Sequence, residues 1–174
     1  MKDSTYLKKH LNEFVHETMM KIAWQKYKKA KEICEKEINR FYAEYEPMVY
    51  KHRKKDLYNA YNLDVTNDGQ LIFEMGEELL QKHHRVDNEY IYEKMFKEGW
   101  HGGADDGPYH PNPGKNYWRT PVPEYSSWWS TPAARSVSPY ENIVTKWNLY
   151  INGKGKEMEL NTWANMTKKY LTRR

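Results

Sequence analysis

Residues Ser4–Tyr45 read STYLKKHLNEFVHETMMKIAWQKYKKAKEICEKEINRFYAEY, and the way this stretch folds decides how the rest of the chain must pack. Its apolar residues Leu7, Leu11, Phe14, Val15, Ile22, Ala23, Tyr27, Ala30, Ile33, Cys34, Ile38, Phe41 and Tyr45 recur at steps of three, four or their sums, and neither Gly nor Pro interrupts them. That spacing predicts one amphipathic helix. At about 1.5 Å per residue it would be a rod of roughly 60 Å, longer than one small domain can cover. Part of the rod must therefore pack on a neighbour, or it must break in two. The steps do not follow a strict heptad, which argues against a long coiled coil.

The rest of the composition fits that reading. A chain of 174 residues suits one domain with a core plus an extension. Hydrophobic residues make up 39%, a level that would point to disorder were it not for 15 Tyr and 7 Trp. Aromatics bury large areas, so we read a folded but polar protein suited to completing its burial against other subunits. The opening MKDSTYLKKHLNEF has no apolar core region and predicts no signal peptide. No apolar run approaches the roughly 20 residues needed to span a bilayer. The single Cys34 excludes an internal disulfide and a zinc site of paired cysteines, and it argues for synthesis in a reduced cytosol. Net charge is +4, with 14 Lys and Arg against 9 Asp and Glu in residues 1–60. Such an arm can face nucleic acid or an acidic protein surface, although the interleaved acids favour plain solvated helix faces.

Downstream, Glu46-Pro47 punctuates the rod, and a second, shorter helix is expected from Pro47 with Val49, Tyr50, Leu57, Tyr58 and Tyr61 as its apolar face. Alternation around Asn67-Asp68-Gly69 predicts a tight hairpin with strands at 63–66 and 70–75. The run EELLQKHHRVD (77–87) reads as a loop or a poor helix. A helix is expected from Asp87, with Tyr90, Ile91, Lys94, Met95 and Glu98 on related faces, stopping at Gly99. Seven of the eight prolines follow, and 99–137 is expected to be irregular. Ser138, Pro139 and Glu141 then form a capping box for a helix that Gly153 and Gly155 end near Asn152. A last amphipathic segment places Leu160, Trp163, Ala164, Thr167, Tyr170 and Leu171 on one side. The expected fold is α+β: a long N-terminal helix (1–46), then a compact α+β domain (47–174) with a small antiparallel sheet or hairpin, covering helices and a long Gly/Pro/aromatic loop at 99–137.

That loop concentrates the residues able to do chemistry. His101, Asp105, Asp106 and His110 are weak candidates for a metal site, because they are N and O donors within ten residues. They sit in a Gly/Pro loop rather than on a helix face or strand, at a spacing that matches no ligand pattern, and His83-His84 is weaker still. Ser126, Ser127, Ser130 and Ser136 lack a nucleophile elbow, and the helical context of Cys34 suits a core role. No phosphate-cradling glycine loop is present, and Asp105-Asp106 lack partners for acid-base work. No enzyme and no cofactor is therefore expected. Trp100, Tyr109, Tyr117, Trp118, Tyr125, Trp128 and Trp129 could stack on glycan or single-stranded nucleic acid, with Arg119 and Arg135 for phosphate. The alternative, which we favour, is that the rings pin the loop to its own domain or to a neighbour. Trp, Tyr and Arg also dominate protein interfaces, so Trp100, His101, Tyr117, Trp118, Arg119, Tyr125, Trp128, Trp129 and Arg135 are the predicted interface residues.

The segments FYAEYEPMVYKHRKKDLYNAY (41–61), MFKEGWHGGA (95–104), YWRTPVPEYSSWW (117–129) and WNLYINGKG to NTWANM (147–166) resemble the small neck or tail-completion proteins of tailed bacteriophages, encoded in the head-tail joining module. The likeness extends over 38–168 and includes the order of elements. It implies a non-enzymatic, homo-oligomeric ring subunit of the virion, made in the host bacterial cytoplasm. Its implied partners are the portal, connector, tail tube or tail terminator, with transient contact to packaged DNA and none to membrane. The insertions EMGEELLQKHHRVD (74–87) and DDGPYHPNPGKN (105–116) depart from the pattern and concern the outer contacts.

Overall fold

The computed structural model describes residues 4–44, 56–80, 88–99 and 138–172. The expected rod is a single unbroken helix, α1 (Ser4–Glu44). A two-stranded antiparallel hairpin follows, β1 (Tyr61–Val65) and β2 (Leu71–Met75). Next come a π-helical segment, Tyr90–Lys97, and two helices, α2 (Pro139–Asn152) and α3 (Lys154–Thr172). The fold is thus α+β as read from the sequence. The described residues fall into two compact units, and α1 contributes to both.

The first unit holds α1 up to Ile33, the hairpin from Asn62 to Glu74, and the chain from Thr145 onward. Here α1 and α3 run antiparallel. Lys26 Nζ meets Glu159 at 2.5 Å, the Thr162 hydroxyl donates to Gln25 Oε1 at 3.0 Å, and Phe14 packs on Trp163 and Tyr170 with ring centroids 5.9 and 4.8 Å away. The hairpin alternates half-buried and exposed positions along both strands, and Phe73 meets Trp147 edge to face at 5.7 Å. Its turn closes through Gly69 N–H to Thr66 O, 3.0 Å, with Gly69 at φ 81. That turn lies on α1: a Cβ at Gly69 would stand 2.8 Å from Met19 Cβ.

The second unit holds α1 from Cys34, residues 56–61, and the described chain from Met75 to Val144. Its core is dense, with Ile38, Phe41, Leu57, Phe96 and Ile143 all 1% exposed or less. The Tyr42 hydroxyl accepts the Leu57 N–H at 3.1 Å, and the Tyr92 hydroxyl donates to the Met75 carbonyl at 3.1 Å. Ser138 caps α2 as expected: its Oγ accepts the Glu141 N–H at 3.0 Å and donates to the Phe96 carbonyl at 3.3 Å.

Four expectations need correction. The helix expected to run through Tyr61 is a 3-10 turn at Asp56–Asn59, and Tyr61 already belongs to β1; residues 45–55 lie outside the described ones. The helix expected from Asp87 is π-helical over Tyr90–Lys97, with Glu98 N–H reaching Glu93 O at 3.0 Å. Gly99, at φ 74, does follow its end. Gly155 does not end α2 but lies in the first turn of α3, buried where a Cβ would come 2.8 Å from the Tyr150 carbonyl oxygen. Finally, α3 buries Gly155, Thr162 and Met166, leaving Leu160 and Leu171 outside.

Candidate interaction surface

The predicted interface residues Trp100, His101, Tyr117, Trp118, Arg119, Tyr125, Trp128, Trp129 and Arg135 lie outside the described residues. So do the weak metal candidates His101, Asp105, Asp106 and His110, and the pair His83-His84. Among the described residues, no group of three or more His, Cys, Asp or Glu could hold a metal ion. Cys34 is fully buried, and loss of hydration pushes its thiol up to about 12, with Glu35 adding to the effect. A thiol so placed is a core group and a poor nucleophile.

What the described surface offers is apolar. Tyr6, Leu7, Leu11, Trp24, Ile72, Leu149, Leu160 and Leu171 are the exposed large hydrophobic residues, and every one belongs to the first unit. The buried apolar residues are distributed the other way: the first unit contributes Ile22, Ala23, Ala30, Ile33 and Met166, with no aromatic among them. Among the described residues, the enclosed aromatics lie in the second unit and the large apolar residues left in water lie in the first.

Along α1, Leu7, Leu11, Phe14, Thr18 and Ile22 follow one another at steps of three and four and so share a face. Phe14 meets Tyr170, and Leu11 and Leu7 stand one and two turns from it toward the start of α1. Leu11 and Leu7 are left 51% and 41% exposed. Tyr6 stands edge-on to His10 at 4.1 Å, and His10 Nδ1 lies 3.2 Å from Glu13.

On α3 the row read from the sequence divides in two. Trp163 and Tyr170 turn toward Phe14 of α1. Leu160, Ala164, Thr167 and Leu171 are exposed, at alternating steps of four, three and four. That is the spacing of a coiled-coil seam. Elsewhere Trp24, 47% exposed, meets Tyr27 edge to face at 5.1 Å, and Lys21 and Lys28 flank it one turn before and after.

Sequence periodicity had placed Leu7, Leu11, Leu160 and Leu171 in apolar rows without showing that those rows lack cover. Trp24 had not been singled out. Its signal was available, a large ring one position off the row with lysines at i−3 and i+4. No described helix is long and apolar enough to cross a membrane. Comparison with protein families, with curated proteins and with solved structures finds no match to this chain.

Proposed function

We propose that the chain is a structural virion protein of the head-tail junction of a tailed phage, an oligomeric subunit joining the portal or connector to the tail. The supporting observation is the uneven burial: among the described residues, every exposed large apolar residue belongs to the unit built on the first three-quarters of α1. A protein of this kind finishes its burial in an assembly, where one subunit covers rows that another leaves open. The resemblance in 38–168 supplies the particle in which this would happen. Mass spectrometry of purified particles is expected to find the chain, and labelling of a tagged copy to place it between head and tail. Particles that lack it overturn the proposal, as would an isolated chain that is a compact monomer binding no virion protein. A portal or major capsid gene beside its own is the expected genetic setting.

Trp24 with Lys21 and Lys28 favours a second reading, a module that binds single-stranded nucleic acid by stacking a base on the indole and pairing phosphates with the amines. Titration with an oligonucleotide separates the two. Saturable quenching that Trp24→Ala abolishes selects the module, and no quenching removes it.

A further inference from the structure

Among the described residues, the outer edge of β1 has no strand beside it. Thr66 N–H to Gln70 O, 2.9 Å, and Gly76 N–H to Ala60 O, 3.2 Å, set the register of the hairpin, so Asn62 faces Glu74 and Asp64 faces Ile72 across the ladder. Leu63 and Val65 therefore turn their backbone groups outward. On the far side of the hairpin the Met75 carbonyl already accepts the Tyr92 hydroxyl at 3.1 Å. Along β1 the Val65 N–H is met by the carboxylate of its own neighbour, Asp64 Oδ1 at 2.7 Å, in an exposed hydrogen bond, and among the described residues no backbone bond reaches Leu63 from outside the hairpin. The exposed face beside this edge is acidic. Among the described residues neither Asp64 nor Glu74 is in an ion pair, and residues 56–80 contain no Lys, Arg or His.

We infer that the β1 edge takes a third strand, an extended segment of a different protein of the assembly with lysine or arginine at alternate positions. The backbone sets the shape of the occupant, because outward N–H and C=O groups on a strand edge are matched by another extended chain. Side chains alternate across a strand, so the added segment puts every second residue beside half-buried Leu63 and Val65 and the others beside exposed Asn62 and Asp64. Apolar residues suit the first set, and cations suit the second. As the strand arrives, one of its carbonyls takes the Val65 N–H, and the Asp64 carboxylate is released to the incoming cation. A second copy pairing edge to edge would instead bring Asp64, Asp68 and Glu74 of both hairpins together with no cation from either hairpin. The inference rests on the reading of the chain as an assembly subunit, and it adds the chemistry of one partner.

The test uses the full-length protein and a short fluorescent peptide of alternating valine and lysine. The controls are a peptide of the same composition with its valines and lysines in separate blocks, and two N-methylated versions carrying the methyls on opposite alternate sets of residues. Anisotropy is expected to rise with the alternating peptide and not with the block peptide. One N-methylated version is expected to lose binding and the other to keep it, since only every second N–H of an added strand points at the edge. Asp64→Lys is expected to weaken binding about tenfold. Amide exchange at Leu63 is expected to be faster than at Asn62 and Asp64 in the free protein and to slow when the peptide is added. Circular dichroism and the urea midpoint establish that the variant is folded. Absence of binding, equal binding of the block peptide, equal loss in both N-methylated versions, unchanged affinity in folded Asp64→Lys, or a Leu63 amide already protected in the free protein would each overturn the inference. So would a peptide of residues 48–55 that binds as tightly, which assigns the edge to the chain itself, or a dimer of the free protein that the peptide dissociates. Failure here with the chain still found between head and tail removes the docking site alone. A chain absent from particles yet binding the peptide removes the assembly reading alone.

Discussion

Gly69→Ala perturbs the point where the hairpin rests on α1, and its cost can be worked from two independent causes. Gly69 sits at φ 81, in the left-handed region, where a side chain costs about 1–2 kcal/mol. The added methyl would also stand 2.8 Å from Met19 Cβ and 3.0 Å from both Met19 C and Met20 N. Two of those three atoms are helix backbone and cannot swing aside, so the turn must lift off α1. Overpacking of that kind costs about 1–3 kcal/mol. The two together predict about 2–5 kcal/mol, a large part of the stability of a domain this size. The assay is urea unfolding followed by tryptophan fluorescence. With a slope of about 1–3 kcal/mol per molar, the midpoint should fall by about 1 M or more. Gly76→Ala is the control: Gly76 has an extended backbone, and the three atoms nearest its methyl all belong to the flexible carboxylate end of Glu78, which can move. Its cost should stay below about 1 kcal/mol. Equal losses in the two variants, or a loss under about 0.5 kcal/mol in Gly69→Ala, would refute the reasoning.

Ser138→Ala removes the cap on the Glu141 N–H and the donor to the Phe96 carbonyl, so a loss of about 1–3 kcal/mol is expected in the same urea assay. Cys34, at about 12 against an ordinary 9.0, holds about a thousandfold less thiolate than an exposed thiol at the same pH. It should resist alkylation in the native protein and react in step with urea unfolding. Ready labelling under native conditions would show that the helix opens locally. The Asp68 carboxyl is held below its ordinary 3.8, first because it accepts the Thr66 hydroxyl and also the Gln70 amide. A depressed folded value means that its small contribution is present above the ordinary value and lost as pH falls through the folded one. Carbon-detected titration should show the depression, and Thr66→Val should bring the titration back toward normal.

How far the sequence was legible depends on whether structure followed local period. The 41-residue α1 repeats its apolar steps without Gly or Pro, and that period was enough to read it as one long helix. The Ser138 cap was equally readable, because Ser, Pro and Glu at fixed offsets each satisfy a definite need of a helix start. At Asn67-Asp68-Gly69 the turn was placed correctly but its geometry was not. Gly69 alone has positive φ, while the Asp68 carboxylate binds Thr66 and Gln70 and favours a three-residue loop. The π-helical turns at Tyr90–Lys97 had no local signal. Periodicity counts which residues share a face, whereas an i to i−5 bond adds a residue to the turn. Gly155 was misread because its role depends on Tyr150, a residue across the corner that no rule about helix ends considers.

The division of the α3 row shows where such reading stops and function begins. Leu160, Trp163, Ala164, Thr167, Tyr170 and Leu171 are apolar enough to form one side, yet a helix of this width can press only part of that side against α1. The two rings face Phe14, where area is gained fastest. The row beside them buries Thr162, a polar group that is acceptable there because its hydroxyl reaches the Met158 carbonyl at 2.8 Å and Gln25 at 3.0 Å. Leucines are thus left in water while a threonine is buried. Each fully covered leucine would contribute about 1.5–3 kcal/mol. Leu7, Leu11, Leu160 and Leu171 are 41, 51, 70 and 61% exposed, so only that part of the figure is still to be gained from each. Stability in the second unit does not depend on that energy, because Phe41, Phe96, Leu57 and Ile143 are already enclosed there.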